Sequence, residues 1–320
     1  MLAFLLLLVG QISQSSSVIF IKASHLDPAV LSASRLFLAA ILVFPLWLVE
    51  RRKSLRLGSP TIPATIGSIS DPTKTTTFAR RFVAYILPGL LLSLHFITWN
   101  AGARMTVASQ ATLVVNLVPL VMPVVIFILL RERPKKYHVI GSLIAIAGLL
   151  VLGVSDMRFD STAIAGDLVC LLSMLFLAFY LALSRLNRTT GLWSYVFPLY
   201  VVGAVSSFLL SFLSANPFTQ DWSLDEIFPV IMLAFVPTLV GHSVSNWAMR
   251  YFHPQLVSIV NVTQFVWAAV MAFLLFGEQP GLLFYLAATI VLGGCAIAIV
   301  PGLPKRKSRD IKPEAAETGD

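Results

Sequence analysis

Leu94–Arg104, LHFITWNAGAR, sets a His, a Thr, a Trp and an Asn in an apolar stretch and closes on an Arg. Gly241–Arg250, GHSVSNWAMR, does the same far along the chain. At an offset of 146 residues, Asn100 falls on Asn246 and Arg104 on Arg250. The same offset sets Glu132 on Glu278, Pro134 on Pro280 and Gly148 on Gly294. Shared apolar residues carry little weight in so apolar a chain; these polar and special residues carry more. The front parts align at an offset of 163, with Lys22 on Arg185, and a longer loop in the first half accounts for the difference. His95 and His242 miss the common register by one position, so they match less securely than the Asn and Arg pairs.

Of the 320 residues, 57% are hydrophobic and 12% charged, and the mean hydropathy is +0.85. A soluble domain carries about 25% charged residues. The composition excludes a soluble fold and places the chain in the membrane class. The net charge of +8 would suggest nucleic acid in a soluble protein. Here the basic residues sit between apolar runs and in the tail, where they read as topology signals. Cys170 and Cys295 lie in apolar runs and give neither a disulfide framework nor a metal-binding CxxC. The opening MLAFLLLLVGQISQSSS lacks the basic start and cleavage site of a signal peptide, and residues 2–21 are expected to be the first span.

A crossing helix needs roughly 20 mostly apolar residues. Ten segments qualify: 2–21, 29–49, 82–100, 107–130, 139–154 (the shortest), 164–184, 193–214, 227–248, 255–276 and 281–300. Residues 50–81 read as a solvated loop and 301–320 as a disordered basic tail. With the N-terminus inside, nineteen Lys and Arg fall on the inner side and three, Lys22, Arg104 and Arg158, on the outer. That asymmetry predicts cytoplasmic termini.

The expected fold is therefore an all-α polytopic membrane protein of ten transmembrane helices in two five-helix repeats, 2–154 and 164–300. Five is odd, so the second repeat enters the membrane from the opposite side. Inverted repeats are a transporter architecture, with the substrate site near the midplane between the halves.

SSSVIFIKASHLDPAVLSASRLFLAA, ASQATLVVNLVPLVMPVVIFILLRERP and LVSIVNVTQFVWAAVMAFLLFGEQP carry a family resemblance. In the first, Lys22 precedes a short loop and Arg35 stands early in the second span; in the other two a long helix ends in Glu and Pro. The chain resembles EamA-type members of the drug/metabolite transporter superfamily over residues 2–300. The resemblance implies a small-molecule transporter, usually of a bacterial inner membrane, and leaves the substrate open. The Ser- and Thr-rich loop 50–81 is longer than the family pattern.

Polar groups in hydrocarbon need partners and tend to face the protein interior or a wet cavity. The cavity candidates are Gln11 and Ser15 in the first span, His95, Trp99 and Asn100 in the third, and Asn116 in the fourth. The second half adds Tyr180, then His242 and Asn246, then Asn261, Gln264 and Trp267. The plainer reading of such residues is helix-to-helix hydrogen bonding, and Trp99 and Trp247 also suit an interfacial belt. Lys22 and Arg104 with Glu278 outside, and Arg185 and Arg250 with Glu132 inside, are candidate gate ion pairs. Lysines and arginines that simply snorkel to headgroups are the alternative. Arg35, about 10 Å deep by helix rise, needs an acceptor: helix carbonyls, Glu278 or an anionic substrate. The resemblance, which places an Arg here generally rather than for one substrate, implies a structural role.

No span carries a central carboxylate, so His95 and His242 are the groups left for proton coupling. There is no nucleotide loop, HExxH or GxSxG. No cofactor or metal site is expected, and active transport would draw on a proton or other ion gradient. A polytopic membrane enzyme, or a receptor without transport activity, is the competing class. Expected partners are a small-molecule substrate and membrane lipid, not nucleic acid; the oligomeric state stays open.

Overall fold

The computed structural model describes residues 2–56, 81–106, 108–156, 161–276 and 281–299. The expectations for residues 57–80, the 301–320 tail, Arg158 and Glu278 lie outside these.

Ten helical rods run in chain order. α1 is Leu2–Ser15 continued by Ser17–Ala23, and α2 is Pro28–Arg56. α3 is a π-helical turn, Phe82–Ile86, leading into Leu87–Met105. α4 is split into Ala108–Val115 and Val118–Leu130, and α5 is Lys136–Asp156. α6 is Ser161–Leu186 and α7 Leu192–Ser211. α8 joins Leu224–Leu233, a π-helical stretch Ala234–His242, and Ser243–Tyr251. α9 is split into Pro254–Asn261 and Gln264–Phe276, and α10 is Leu282–Ile299. Among the described residues nine segments are long and apolar enough to cross a membrane, and Lys136–Val151 is a shorter apolar helix. Every expected span is a helix. The second runs on past residue 49 to Arg56, because its charged extension ERRKSLR contains no helix breaker.

The exposed residues are the apolar ones. Leu168, Leu209 and Leu274 are more than 60% accessible, while Gln11, Ser32, Arg35, Asn100 and Gln255 are fully buried. That inversion is what lipid as solvent demands.

The sequence supplies its own caps at several helix ends. Asp27 Oδ1 accepts the Ala29 and Val30 amides ahead of Pro28, starting α2. His253 Nδ1 accepts the Gln255 amide ahead of Pro254, starting α9. Glu50 accepts the Ser194 amide at 2.6 Å and so ties the end of α2 to the start of α7.

Small residues let the rods meet. α1 crosses α8 where Gly10 and Gly241 face each other: a Cβ on Gly241 would lie 3.2 Å from the Gly10 carbonyl oxygen. α6 crosses α3 at Gly166 and Gly102, α2 packs along α7, and α5 packs along α10 through Gly141 and Gly294. With no hydrophobic drive between helices in lipid, such close backbone approach supplies the packing energy.

α4 and α9 break at matching places. At Asn116–Leu117 the chain makes a turn before Pro119, which has no amide to donate to Val115. At Val262–Thr263 the amides shift to i−3 acceptors, Ile259 and Val260. Under the 146-residue offset, 116 and 117 become 262 and 263.

Candidate functional site

Between the two breaks lies a cavity of about 30 Å³. Gln14 and Ser17 of α1, His95, Phe96 and Trp99 of α3, and Val115 and Asn116 at the α4 break line one side. Leu177 of α6, Pro237 and His242 of α8, and Gln264 of α9 line the other. This volume holds about one water. A larger hollow of about 670 Å³ lies between α2, α7 and the turn Pro217–Thr219, lined by groups such as Phe37, Phe208, Phe218 and Trp222. Its walls are apolar and open to the lipid side, and no convergent polar groups reach it, so the small central cavity is the better site.

Local chemistry shapes the central walls. Ser13, Ser15 and Ser16 return their hydroxyls to the carbonyls of Val9, Gln11 and Ser13, and α1 bends at Ser16. Gln14 Nε2 then donates to the Gly241 carbonyl and to Ser245 Oγ, pinning α1 to α8. Gln264 Nε2 donates to Gln11 Oε1 at 2.9 Å, pinning α1 to α9. Pro237 sits in the π-helical stretch of α8, where Thr238 Oγ1 donates to the Leu233 carbonyl five residues back. The Thr238 carbonyl accepts from the Tyr200 hydroxyl at 2.8 Å.

The two histidines meet, with ring centroids 6.0 Å apart. His95 Nδ1 is 2.8 Å from Ser173 Oγ and 3.1 Å from the Ser173 carbonyl, while Ser173 Oγ donates to the His95 carbonyl. A protonated Nδ1 satisfies all three contacts, because it faces a carbonyl oxygen and a hydroxyl oxygen whose own proton goes to the His95 carbonyl. His242 Nδ1 is buried with no partner. Phe96 lies edge-on to His242 at 4.9 Å.

At the Glu132 end, α4 closes on Arg131 in the left-handed region (φ 55°), and its amide reaches the Phe127 carbonyl. Glu132 follows and takes three partners from the second half: Arg188 at 3.4 Å, and Arg185 and His253 at 3.8 Å. Arg185 also donates to the Met249 and Phe252 carbonyls, and Arg250 to the Arg188 carbonyl. The His253 ring is held down to about 4 by burial, with Arg185 and Lys135 adding repulsion, so it is neutral near pH 7.

At the Lys22 end the basic residues serve backbone. Lys22 donates to the Thr106 carbonyl, and Arg104 to those of Ile21 and Leu26. Position for position, Lys22 on Thr106 matches Arg185 on Phe252 under the two offsets. Glu226, near the start of α8, is a carboxylate that joins the halves at this end. It accepts from Ser24 Oγ at 2.6 Å and from the His25 amide at 2.7 Å, and stands 3.0 Å from His25 Nδ1.

The EamA-like transporter family model matches twice, over residues 1–154 and 164–300. The chain belongs to the EamA-like transporter family. A search of curated proteins gave no match. A solved crystal structure superposes with a TM-score of 0.69 at 17% identity, over 93% of this chain and 96% of that one, and shows the shared fold. An EamA-like chain is an integral membrane transporter of small molecules rather than an enzyme.

Within this EamA-like fold the cavity gathers His95, Trp99, Asn116, His242 and Gln264 from the sequence candidates. Others serve the scaffold. Gln11 and Ser15 hold α1, Asn100 donates to the Pro28 carbonyl and Ser32, and Asn246 donates to the His242 carbonyl. Tyr180 is fully buried, 6.2 Å from His242, and Asn261 Oδ1 and Trp267 Nε1 are buried without partners. Trp99 is no interfacial belt residue: it is 7% exposed, and Nε1 points at Ser17 Oγ. Trp247 packs on exposed Tyr251 instead. Sequence reading passed over Ser17 and Phe96, and the cross-half contacts of Glu226, Arg188 and His253. Gln14 belongs to the polar stretch of the first span, three residues from Gln11 on the same helical face.

Proposed function

We propose that the chain is a secondary transporter working by alternating access, its two five-helix halves related as inverted repeats about the central cavity. One observation carries the reading. The first half lines the cavity with α1, α3 and α4, and the second with α6, α8 and α9, which are the corresponding helices in each repeat. The packing supports it: α1 on α8 and α6 on α3 exchange under such a two-fold, while α2 with α7 and α5 with α10 map onto themselves. Paired broken helices at one depth are where transporters place their substrate sites.

The two ends act as gates in this reading. Glu132 with Arg185, Arg188 and His253 shuts the cytoplasmic end, and Glu226 with Ser24 and His25 shuts the outer end. Glu226 acts in this reading at the same end as the gate expected of Glu278, which lies outside the described residues. Both gates are made here and the cavity is small, which is the occluded arrangement between the two open ones. The Lys and Arg asymmetry supports cytoplasmic termini, and membership of the family supports a bacterial inner membrane. Uptake of energy from a proton or other ion gradient is the remaining step.

A single reporter tests it. Cys170 and Cys295 are free and buried, so a Ser17→Cys chain carries one thiol at the cavity. Cross-linking Glu132→Cys to Arg188→Cys should make the reporter reactive to an impermeant thiol reagent from outside and silent from inside. Linking Ser24→Cys to Glu226→Cys should reverse this. Reactivity from both faces at once, or no response to either link, would reject alternating access.

A further inference from the structure

Arg35 stands in α2 with its side chain fully buried. Nε donates to Thr238 Oγ1 at 3.0 Å, and the guanidinium lies 3.8 Å over the centre of the Phe96 ring. Nη1 and Nη2 have no acceptor. Most of the five donors of the guanidinium are therefore idle. No ion pair reaches Arg35 among the described residues. The groups around it are neutral: Thr238 donates its hydroxyl proton to Leu233, and Tyr200 donates its own to the Thr238 carbonyl. A buried charge lacking a counter-charge and most of its hydrogen bonds is costly, and a phenyl face offsets only part of that cost.

The other basic residues near helix ends differ. Lys22, Arg104, Arg185 and Arg250 each reach a backbone carbonyl. Arg35 also stands alone in the repeat, since the 163-residue offset sets Pro198 opposite it. It does not line the central cavity but lies directly behind its wall. Phe96, beneath the guanidinium, lines that cavity, and so does Pro237, the neighbour of its partner Thr238.

We propose that Arg35 is the anion anchor of the central site, and that the transported substrate is a small organic acid with an apolar or aromatic body. When Phe96 turns aside, Nη1 and Nη2 take the carboxylate as a bidentate pair, and the body lies against Trp99 and Leu177. Paired N–H donors match a carboxylate in geometry as well as charge. The polar lining of the cavity supplies no carboxylate to hold an amine in its place. This inference rests on the cavity being the transport site and adds the charge of what it carries.

The test uses the purified full chain in detergent, in a buffer free of carboxylates, with three matched sets of probes. These are phenylacetate, 3-phenylpropionate and indole-3-acetate, each beside the alcohol and the amine of the same body. A ligand that binds the folded state raises the melting temperature. At least one acid should raise it by several degrees while its alcohol and amine do not. Arg35→Gln should abolish the difference. Arg35→Lys, which keeps the charge and loses the fork, should weaken the acid at least tenfold. Phe96→Ala should leave the preference for acids in place. If Arg35→Gln does not fold, Arg35→Lys decides: acid affinity equal to wild type overturns the proposal. So does an equal shift by acid, alcohol and amine in every set. A Ser17→Cys reporter that alternates between faces while no acid is preferred would leave the transporter reading standing and remove this one. Acid preference with a reporter that does not alternate would remove the transporter reading and overturn the claim of a transported acid, leaving Arg35 as an anion-binding residue alone.

Discussion

His95 and His242 look alike in sequence and differ in the folded chain. His95 is tied to Ser173 by a ring contact and a carbonyl contact, whereas His242 Nδ1 has no partner. Removing one partner of a buried hydrogen-bonded group costs about 1–3 kcal/mol. Ser173→Ala should therefore lower unfolding stability in detergent by about that amount. His242→Gln, which keeps most of the side-chain volume and removes no hydrogen bond of Nδ1, should lower melting less and weaken the alternation of the Ser17→Cys reporter. Equal melting losses in the two variants would contradict this division. The same contrast explains why residue roles were only partly legible. Polarity and helical spacing pick out residues that cannot face lipid. They do not separate a side chain that meets a cavity, such as His242, from one that ties two helices, such as Asn100. Glu226 escaped for another reason. It has no counterpart in the first half, so the repeat that drew attention to Glu278 could not indicate it.

At the scale of the element, all ten helices were readable because hydrocarbon fixes their length and composition. Their interruptions were half readable. Pro119 announces the α4 break, but α9 breaks at Val262–Thr263 with no proline within it, and only the repeat points there. Helix contacts were less legible still, because small residues are common in apolar spans. The α5–α10 crossing gives a sharp test. A Cβ on Gly294 would lie 2.6 Å from the Gly141 carbonyl oxygen and 2.7 Å from the Ala145 amide nitrogen, both backbone atoms. A Cβ on Gly293 would meet nothing within 4 Å. Gly294→Ala should destabilise by about 1–3 kcal/mol through overpacking. Gly293→Ala should be neutral or stabilise by up to about 1 kcal/mol, as Ala favours the helix over Gly. Unfolding of the two variants in the same detergent checks the opposite signs.

For the whole molecule the alternating-access proposal raises the question of what would balance an occluded arrangement against open ones, and the opening and closing of the Glu132 end are steps of that proposal. At the Glu132 end the groups facing His253 are Glu132, Arg185, Lys135 and His138, whose ring is 5.2 Å away. In the closed end the His253 ring is held to about 4, against 6.5 for an ordinary histidine. Opening releases the ring to water and returns it toward the ordinary value. The open form therefore binds more protons between those values, and acid favours opening. Closure at this end is at full strength above about pH 6.5 and weakens as pH falls toward 4. His253→Asn is the control, because an Asn side chain is itself a strong N-cap. It keeps an acceptor for the Gln255 amide and removes the titrating ring. A pH-insensitive fluorophore on Ser17→Cys should report more opening at the Glu132 end at pH 5 than at pH 8. The same reporter with His253→Asn should show little change over that range. A pH response that survives the substitution would assign the titration to another group at this end.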